Sequence, residues 1–215
     1  MAAGFDRVAG VYHSLEWVAF GRQLERARFA HLQALRACRT ILIVGDGDGR
    51  CLEAVLRIAV DAVVTSIDAS AAMLALARRR VAGTAGASRV TFEHADIRQA
   101  SLPRAHYDAV LTLFVLDCFP PGDAVAVIRA LGSTVTASGL WLFADFSVPE
   151  RGWRRLHARL QARLLYAFFR WQTGIRASTL PPSETLIEGQ GFRPRSVEER
   201  RAGSIRSVLF GRSPL

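Results

Sequence analysis

The chain has 215 residues, half of them apolar, and a formal net charge of +9. That size suits one domain with an ample hydrophobic core, and the composition excludes disordered and fibrous classes. Three widely spaced cysteines, Cys38, Cys51 and Cys118, offer neither a disulfide framework nor a zinc knuckle.

Periodicity predicts an amphipathic helix over 14–37, with Leu24, Ala27, Leu32 and Leu35 among its apolar positions. Thr40–Val44 follows as a wholly apolar, β-branched run of the kind that is buried on both faces of a sheet. The glycine-rich turn GDGDGR at 45–50 opens a helix over 51–60. A strand at 62–67, a helix at 70–82, strands at 89–94 and 107–115, a helix at 122–136 and a strand at 140–146 continue the alternation. Strands separated by helical segments imply crossover connections and a parallel sheet with helices on both faces. The rhythm then changes. Residues 151–171 read as a helix, 182–190 as a short one, and 192–200 with 204–210 as an antiparallel hairpin turned at Ala202–Gly203. The expected fold is a Rossmann-like, doubly wound α/β sheet, mainly parallel, with a C-terminal antiparallel hairpin and a helical cap insertion. Its parts within a single domain are an N-terminal helical lid (1–38), a core (39–146), a cap (151–182) and a terminal helix and hairpin (183–215).

A strand running into Gly45-x-Gly47-x-Gly49 and then a helix is a loop where backbone passes close to a ligand. The nearest competitor is the dinucleotide fingerprint G-x-G-x-x-G. Its third glycine would be residue 50, which is Arg50, and the loop carries Asp46 and Asp48. A pyrophosphate would meet two carboxylates there, whereas a ligand with a positive centre would not. Asp68, 19 residues beyond Gly49 at the end of the second strand, is placed to accept from both ribose hydroxyls. A helix N-cap is its structural alternative, a task that Ser70 can also perform. After the third strand, Asp96 can accept from an adenine amino group while Ile97 packs the ring. The end of the fourth strand, including Leu113, opens on the same cleft.

Together these residues resemble the class I S-adenosylmethionine-dependent methyltransferases, over about residues 5–146 and the terminal hairpin. The opening FDRVAGVYHSLE at 5–16 is similar to the start of ubiquinone/menaquinone-type methyltransferases. The resemblance implies S-adenosylmethionine as cofactor, with Gly45, Gly47 and Gly49 cradling its methionine end and Asp68 with Ala69 at the ribose. It also implies Met73, Asp96 and Ile97 around the adenine, and Tyr12 closing the site. The family usually has an acid two residues before the first glycine. Here that position is Ile43, and Asp46 or Asp48 is expected to take over its electrostatic role.

Asp117, in LDCF after the fourth strand, stands where a substrate nucleophile would arrive. It reads either as a proton acceptor or cation holder, or as an ordinary acid on the approach to a helix. Asp117 and Tyr12 are the two catalytic candidates. No histidine or cysteine spacing suggests a metal. Over 151–171, Trp153, Leu156, Leu160, Leu164, Phe168 and Trp171 fall on one stripe, with Leu165, Tyr166 and Phe169 also apolar outside it. That pattern reads as a cap over a hydrophobic substrate pocket, with an arginine rim capable of peripheral membrane contact. The expected acceptor is a quinone, phenol or lipid-like small molecule.

The charge is uneven. Residues 1–150 are balanced, while 151–215 hold 13 arginines against Glu184, Glu188, Glu198 and Glu199. Lysine and asparagine are absent from the whole chain, so arginine abundance follows from a GC-rich coding bias and is no proof of a nucleic-acid role. The basic third nevertheless keeps open a nucleic-acid methyltransferase or binding protein. A cofactor-binding relative without catalysis is the other alternative. Against the nucleic-acid reading, LFVLDC at 113–118 lacks the Asn/Asp-Pro-Pro-aromatic sequence of enzymes that methylate base amino groups. The first twenty residues contain Asp6, Arg7 and Glu16 and no continuous apolar stretch, so a soluble cytoplasmic protein without a leader is expected.

Overall fold

The computed structural model describes residues 22–147, 180–201 and 203–212. The N-terminal lid with Tyr12 and the helix expected at 151–171 lie outside them.

The described residues form one seven-stranded sheet, in the order β3-β2-β1-β4-β5-β7-β6. Its strands are β1 (Thr40–Val44), β2 (Val63–Asp68), β3 (Val90–His94), β4 (Tyr107–Leu113), β5 (Val135–Phe146), β6 (Phe192–Arg200) and β7 (Ile205–Arg212). β1 to β5 run parallel, and the β6–β7 hairpin closes the sheet antiparallel against β5. The mainly parallel α/β sheet with a terminal hairpin is therefore the architecture that the alternation implied.

The helices are α1 (Gln23–Phe29), α2 (Arg50–Ile58), α3 (Ala71–Val81), α4 (Pro121–Thr134) and α5 (Ser183–Glu188). β1 shows why the sheet is covered on both sides. Ile41 and Ile43 enter a core with Leu52 and Val55 of α2, while Leu42 and Val44 enter another with Val127 and Ile128 of α4. Alternate residues of one strand thus feed two cores, which is why its sequence is continuously apolar. Trp141 is fully buried on the second face, where its indole N–H donates to Thr112 Oγ1 at 2.8 Å.

Two boundaries differ from expectation. The helix expected over 14–37 is, in its described part, α1 followed by a separate 3-10 turn at Leu32–Ala37. The break is fixed by tertiary hydrogen bonds: His31 Nε2 donates to Ser207 O at 3.1 Å, and Ser207 Oγ donates to Ala27 O at 2.9 Å. Periodicity along the chain cannot register such partners on β7. β5 also begins at Val135, directly after α4, rather than at 140. The β-branched pair Val135–Thr136 favours extended backbone there, and Tyr107 pairs with Val135 before a register shift.

Candidate active site

In a doubly wound sheet, ligands bind beyond the carboxyl ends of the parallel strands, where the strand order reverses. Here that point lies between β1 and β4.

The glycine turn after β1 is built from three left-handed residues, with φ of +67°, +68° and +84° at Gly45, Gly47 and Gly49. Their reasons differ. A Cβ on Gly45 would lie 2.6 Å from Val115 Cγ2, and one on Gly49 would lie 2.7 Å from Ala77 Cα of α3. On Gly47 it would meet, among the described residues, only Met73 Sδ, at 4.0 Å. Gly45 and Gly49 therefore permit close packing of the protein on itself, whereas Gly47 keeps open space in front of the turn.

Asp68 ends β2 and ties this turn to the next. Its Oδ2 accepts from Gly47 N at 3.2 Å and its Oδ1 from Ser70 N at 2.9 Å. Ser70, not Asp68, caps α3, accepting from Met73 N at 3.2 Å. The neighbouring Ala69 O accepts from His94 Nε2 at 3.1 Å, and Ala95 N donates to Asp68 O at 3.2 Å, so the ends of β2 and β3 are joined. Met73 and Ile97 are buried, Ile97 in the same cluster as Val44 and Ile67. Leu113 is buried at the end of β4, in the core on the other face.

The acids of the cofactor side have separate partners. Asp48 is bridged by Arg50 at 3.1 Å and Arg80 at 2.9 Å, which fastens the turn to α3. Asp96 is gripped by Arg98, which also reaches Asp123 at 2.8 Å, and this arginine holds the Asp96 carboxyl below its usual pKa. Asp46 Oδ2 accepts from Leu52 N at 2.9 Å, satisfying a free amide in the first turn of α2. Burial pushes Asp46 up to about 7, opposed by the Leu52 amide and by Arg28 and reinforced by Asp48 and Asp68. Arg28 lies over the Phe114 ring, 5.2 Å from its centroid. Ile43, at the position where the related enzymes place an acid, is part of the core.

Asp117 occupies the 3-10 turn Leu116–Cys118 after β4 and is 7% exposed. Beside it stands Asp145, 3% exposed, from the end of β5. Sequence reasoning missed Asp145; its signal was a single acid inside the otherwise apolar run LWLFADF. Asp117 N donates to Asp145 Oδ2 at 3.0 Å, and Phe146 N to Asp145 Oδ1 at 2.9 Å. Burial pushes Asp117 up to about 6, and burial followed by the charge of Asp117 pushes Asp145 well above the carboxylate range. Cys118 Sγ donates to Asp117 Oδ1 at 3.6 Å. Burial raises the Cys118 thiol, and the charges of Asp117, Asp145 and Asp68 raise it further, so the two sides of the cleft sense each other. No group of three or more potential metal ligands occurs among the described residues.

The arrangement fits S-adenosylmethionine on physical grounds. Gly47 leaves the approach to the turn open, Asp68 offers two acceptors, Met73 and Ile97 supply apolar surface, and the surrounding carboxyls suit a sulfonium rather than a pyrophosphate. The sheet has the Rossmann-like fold that methyltransferases also adopt. Residues 41–139, a little under half of the chain, match the family model described as a methyltransferase domain.

Solved structures share the fold at low identity. Mitomycin 7-O-methyltransferase MmcR is 20% identical with a TM-score of 0.67, covering 97% of this chain and 60% of its own. The Burkholderia thailandensis 1,6-didemethyltoxoflavin-N1-methyltransferase, solved with its substrate and S-adenosylhomocysteine, is 18% identical with a TM-score of 0.66, covering 100% and 89%. The N-methyltransferase NodS from Bradyrhizobium japonicum, with S-adenosylhomocysteine, is 16% identical with a TM-score of 0.67, covering 98% and 97%. The chain thus spans about three fifths of the first and most of the other two. A search of curated proteins finds no match.

Proposed function

We propose that the protein transfers a methyl group from S-adenosylmethionine to a small, rather hydrophobic acceptor carrying a hydroxyl or amine, such as a phenol, quinol or lipid-like molecule. The observation that carries this reading is what gathers beyond the carboxyl ends of the parallel strands: an open glycine turn joined to Asp68 on one side, and the buried carboxyls of Asp117 and Asp145 after β4 and β5 on the other. The cofactor supplies a methyl already activated on a sulfonium. The protein's tasks are to bind, to align and to exclude water. In this reading Gly45, Gly47, Gly49, Asp46 and Asp48 shape the methionine end. Asp68 and Ala69 hold the ribose; Met73, Asp96 and Ile97 border the adenine; Leu113 floors the junction. Asp117 faces the acceptor, and Tyr12 closes over it.

Small-molecule acceptors in the structural neighbours, the 7-oxygen of mitomycin in MmcR and N1 of 1,6-didemethyltoxoflavin in the Burkholderia enzyme, support this class. The apolar stripe over 151–171 supports a hydrophobic pocket, with its arginine rim able to touch a membrane surface. Among the described residues no helix is long and apolar enough to cross a membrane, and we place the enzyme in the cytoplasm. The nucleic-acid alternative is weakened because several C-terminal arginines are engaged within the fold. Arg206 pairs with Glu184 and Glu199, Arg200 with Glu198, and Arg212 donates to Gly132 O while lying over Phe192.

Calorimetric titration with S-adenosylhomocysteine, with NAD as the control, tests the cofactor; micromolar affinity for the former alone is expected. A panel of phenols, quinols, amines and RNA then tests the acceptor. Methylation confined to RNA or to large polar acceptors would overturn the assignment. Phe169→Glu should impair acceptor turnover while leaving S-adenosylhomocysteine affinity intact.

A further inference from the structure

We propose that Asp117 and Asp145 form a proton-sharing carboxyl dyad that balances the cofactor's sulfonium charge and takes the proton from the acceptor's hydroxyl or amine. The proposal rests on the methyl-transfer reading and extends it to the acceptor end of the cleft.

The geometry is specific. Asp117 lies one turn beyond β4 and Asp145 at the end of β5, the two parallel strands on the opposite side of β1 from β2 and β3. Asp145 spends one contact of each oxygen on a backbone amide, of Asp117 and of Phe146, so its carboxyl is fixed in orientation. The backbone amide of Asp117 binding Asp145 Oδ2 sets the two buried carboxyls side by side. Both are buried, and among the described residues no ion pair engages either. Two adjacent buried carboxylates without a cation cannot both remain ionised, so the pair holds one proton between them.

The groups facing the dyad leave that proton in place. Cys118 donates its thiol to Asp117 and stays protonated, and Asp68 adds a further negative charge from β2. Arg206 stands opposite Asp145 on β7, but its guanidinium is committed to Glu184 and Glu199. Among the described residues, then, none supplies a cation to the dyad, and the sulfonium of the ligand would.

In the transfer step the acceptor's O–H or N–H bond breaks, and its proton joins the ionised carboxylate of the dyad. The acceptor atom forms its new bond to the methyl carbon with its own electron pair, while the pair of the broken carbon–sulfur bond stays on sulfur. One positive and one negative charge disappear together inside a water-poor site, and the dyad passes from one proton to two. It returns a proton to solvent as product leaves. Acceptors that present a hydroxyl or an amine suit this arrangement, and carboxylate acceptors do not.

The test needs no identified acceptor. S-adenosylmethionine and S-adenosylhomocysteine are titrated calorimetrically into the wild-type protein from pH 5.5 to 8, each in two buffers of different ionisation enthalpy. At the acid end of that range, where the ligand-free dyad takes up its second proton, the sulfonium ligand should release more protons than its neutral counterpart, and its relative affinity should rise with pH by up to about tenfold per unit until the dyad holds one proton. Asp117→Asn and Asp145→Asn should each abolish this difference while keeping the melting transition and S-adenosylhomocysteine affinity. Asp61→Asn, in an exposed ion pair with Arg39 away from the cleft, should retain it. Equal proton release by the two ligands in the wild type would overturn the dyad, as would a difference that survives both dyad variants or vanishes in Asp61→Asn. If a dyad variant does not fold, the wild-type comparison still decides. Failure of both ligands to bind would overturn the methyltransferase reading itself, a result distinct from equal proton release.

Discussion

The two ends of the cleft manage negative charge in opposite ways. On the cofactor side, Asp48 and Asp96 are each matched by arginine, and Asp68 by backbone amides. On the acceptor side, Asp117 and Asp145 have, among the described residues, only each other, two backbone amides and a thiol. A carboxylate paired with a cation stays ionised and builds structure, whereas a buried one without a cation keeps a proton. The same residue type thus shapes the turns at one end and remains chemically poised at the other.

The largest effects should come from the glycine turn, where packing and ligand access can be separated. Gly49→Ala would drive a Cβ into the α3 backbone at Ala77 from a left-handed φ, costing about 2–4 kcal/mol of stability. Gly47→Ala meets only Met73 Sδ and should cost about 1–2 kcal/mol in folding, from backbone strain alone. Its main effect should be a loss of S-adenosylhomocysteine affinity. Thermal melts beside calorimetry would separate the two; equal losses of stability would remove Gly47 from the ligand site.

Asp68→Ala comes next. It deletes the acceptor for two backbone amides and, in the proposed site, for the ribose hydroxyls. S-adenosylhomocysteine binding should weaken by about 1.5–3 kcal/mol. Unchanged affinity would assign Asp68 to the turn alone.

How much of this was legible along the chain follows the range of the interactions. TILIV announced a doubly buried strand because local pattern and tertiary environment agree there, and the glycines and Asp68 announced a cleft because each closes a strand. Asp145 was not visible. Its importance comes from Asp117, 28 residues earlier, and only the β4–β5 pairing brings them together. The break after α1 was hidden for the same reason, since its partner Ser207 lies 176 residues from His31. Asp48 shows a subtler limit. The sequence indicated a carboxylate in the turn but not that Arg80, on α3, would turn it toward the protein.

Asp46 lies between the two regimes, half-buried, with Arg28 only partly compensating its charge. Its folded pKa, about 7, is above the ordinary value. Its contribution to stability is therefore full below the unfolded pKa and is lost as pH rises through about 7. Asn cannot ionise and keeps an oxygen for Leu52 N. In ligand-free protein, Asp46→Asn should match the wild type near pH 4–5 and exceed it at pH 8 by about 1–2 kcal/mol. Melting curves across that range check the sign; a variant less stable at pH 8 would show that Arg28 keeps Asp46 ionised.

Asp48→Ala should give the smallest effect. The carboxylate bridges Arg50 and Arg80, but Arg80 is about a third exposed, so solvent screens much of the attraction. Its removal should cost about 0.5–1 kcal/mol, diminishing with added salt. Arg80 Nε also donates to Asp48 O at 2.8 Å, a contact the alanine variant keeps, so the turn should stay attached to α3. S-adenosylhomocysteine affinity should then fall by less than in Asp68→Ala. A loss as large as that of Asp68→Ala would mean that Asp48 faces the ligand's positive end in the complex, and the charge-paired character of the cofactor side would hold only before the cofactor arrives.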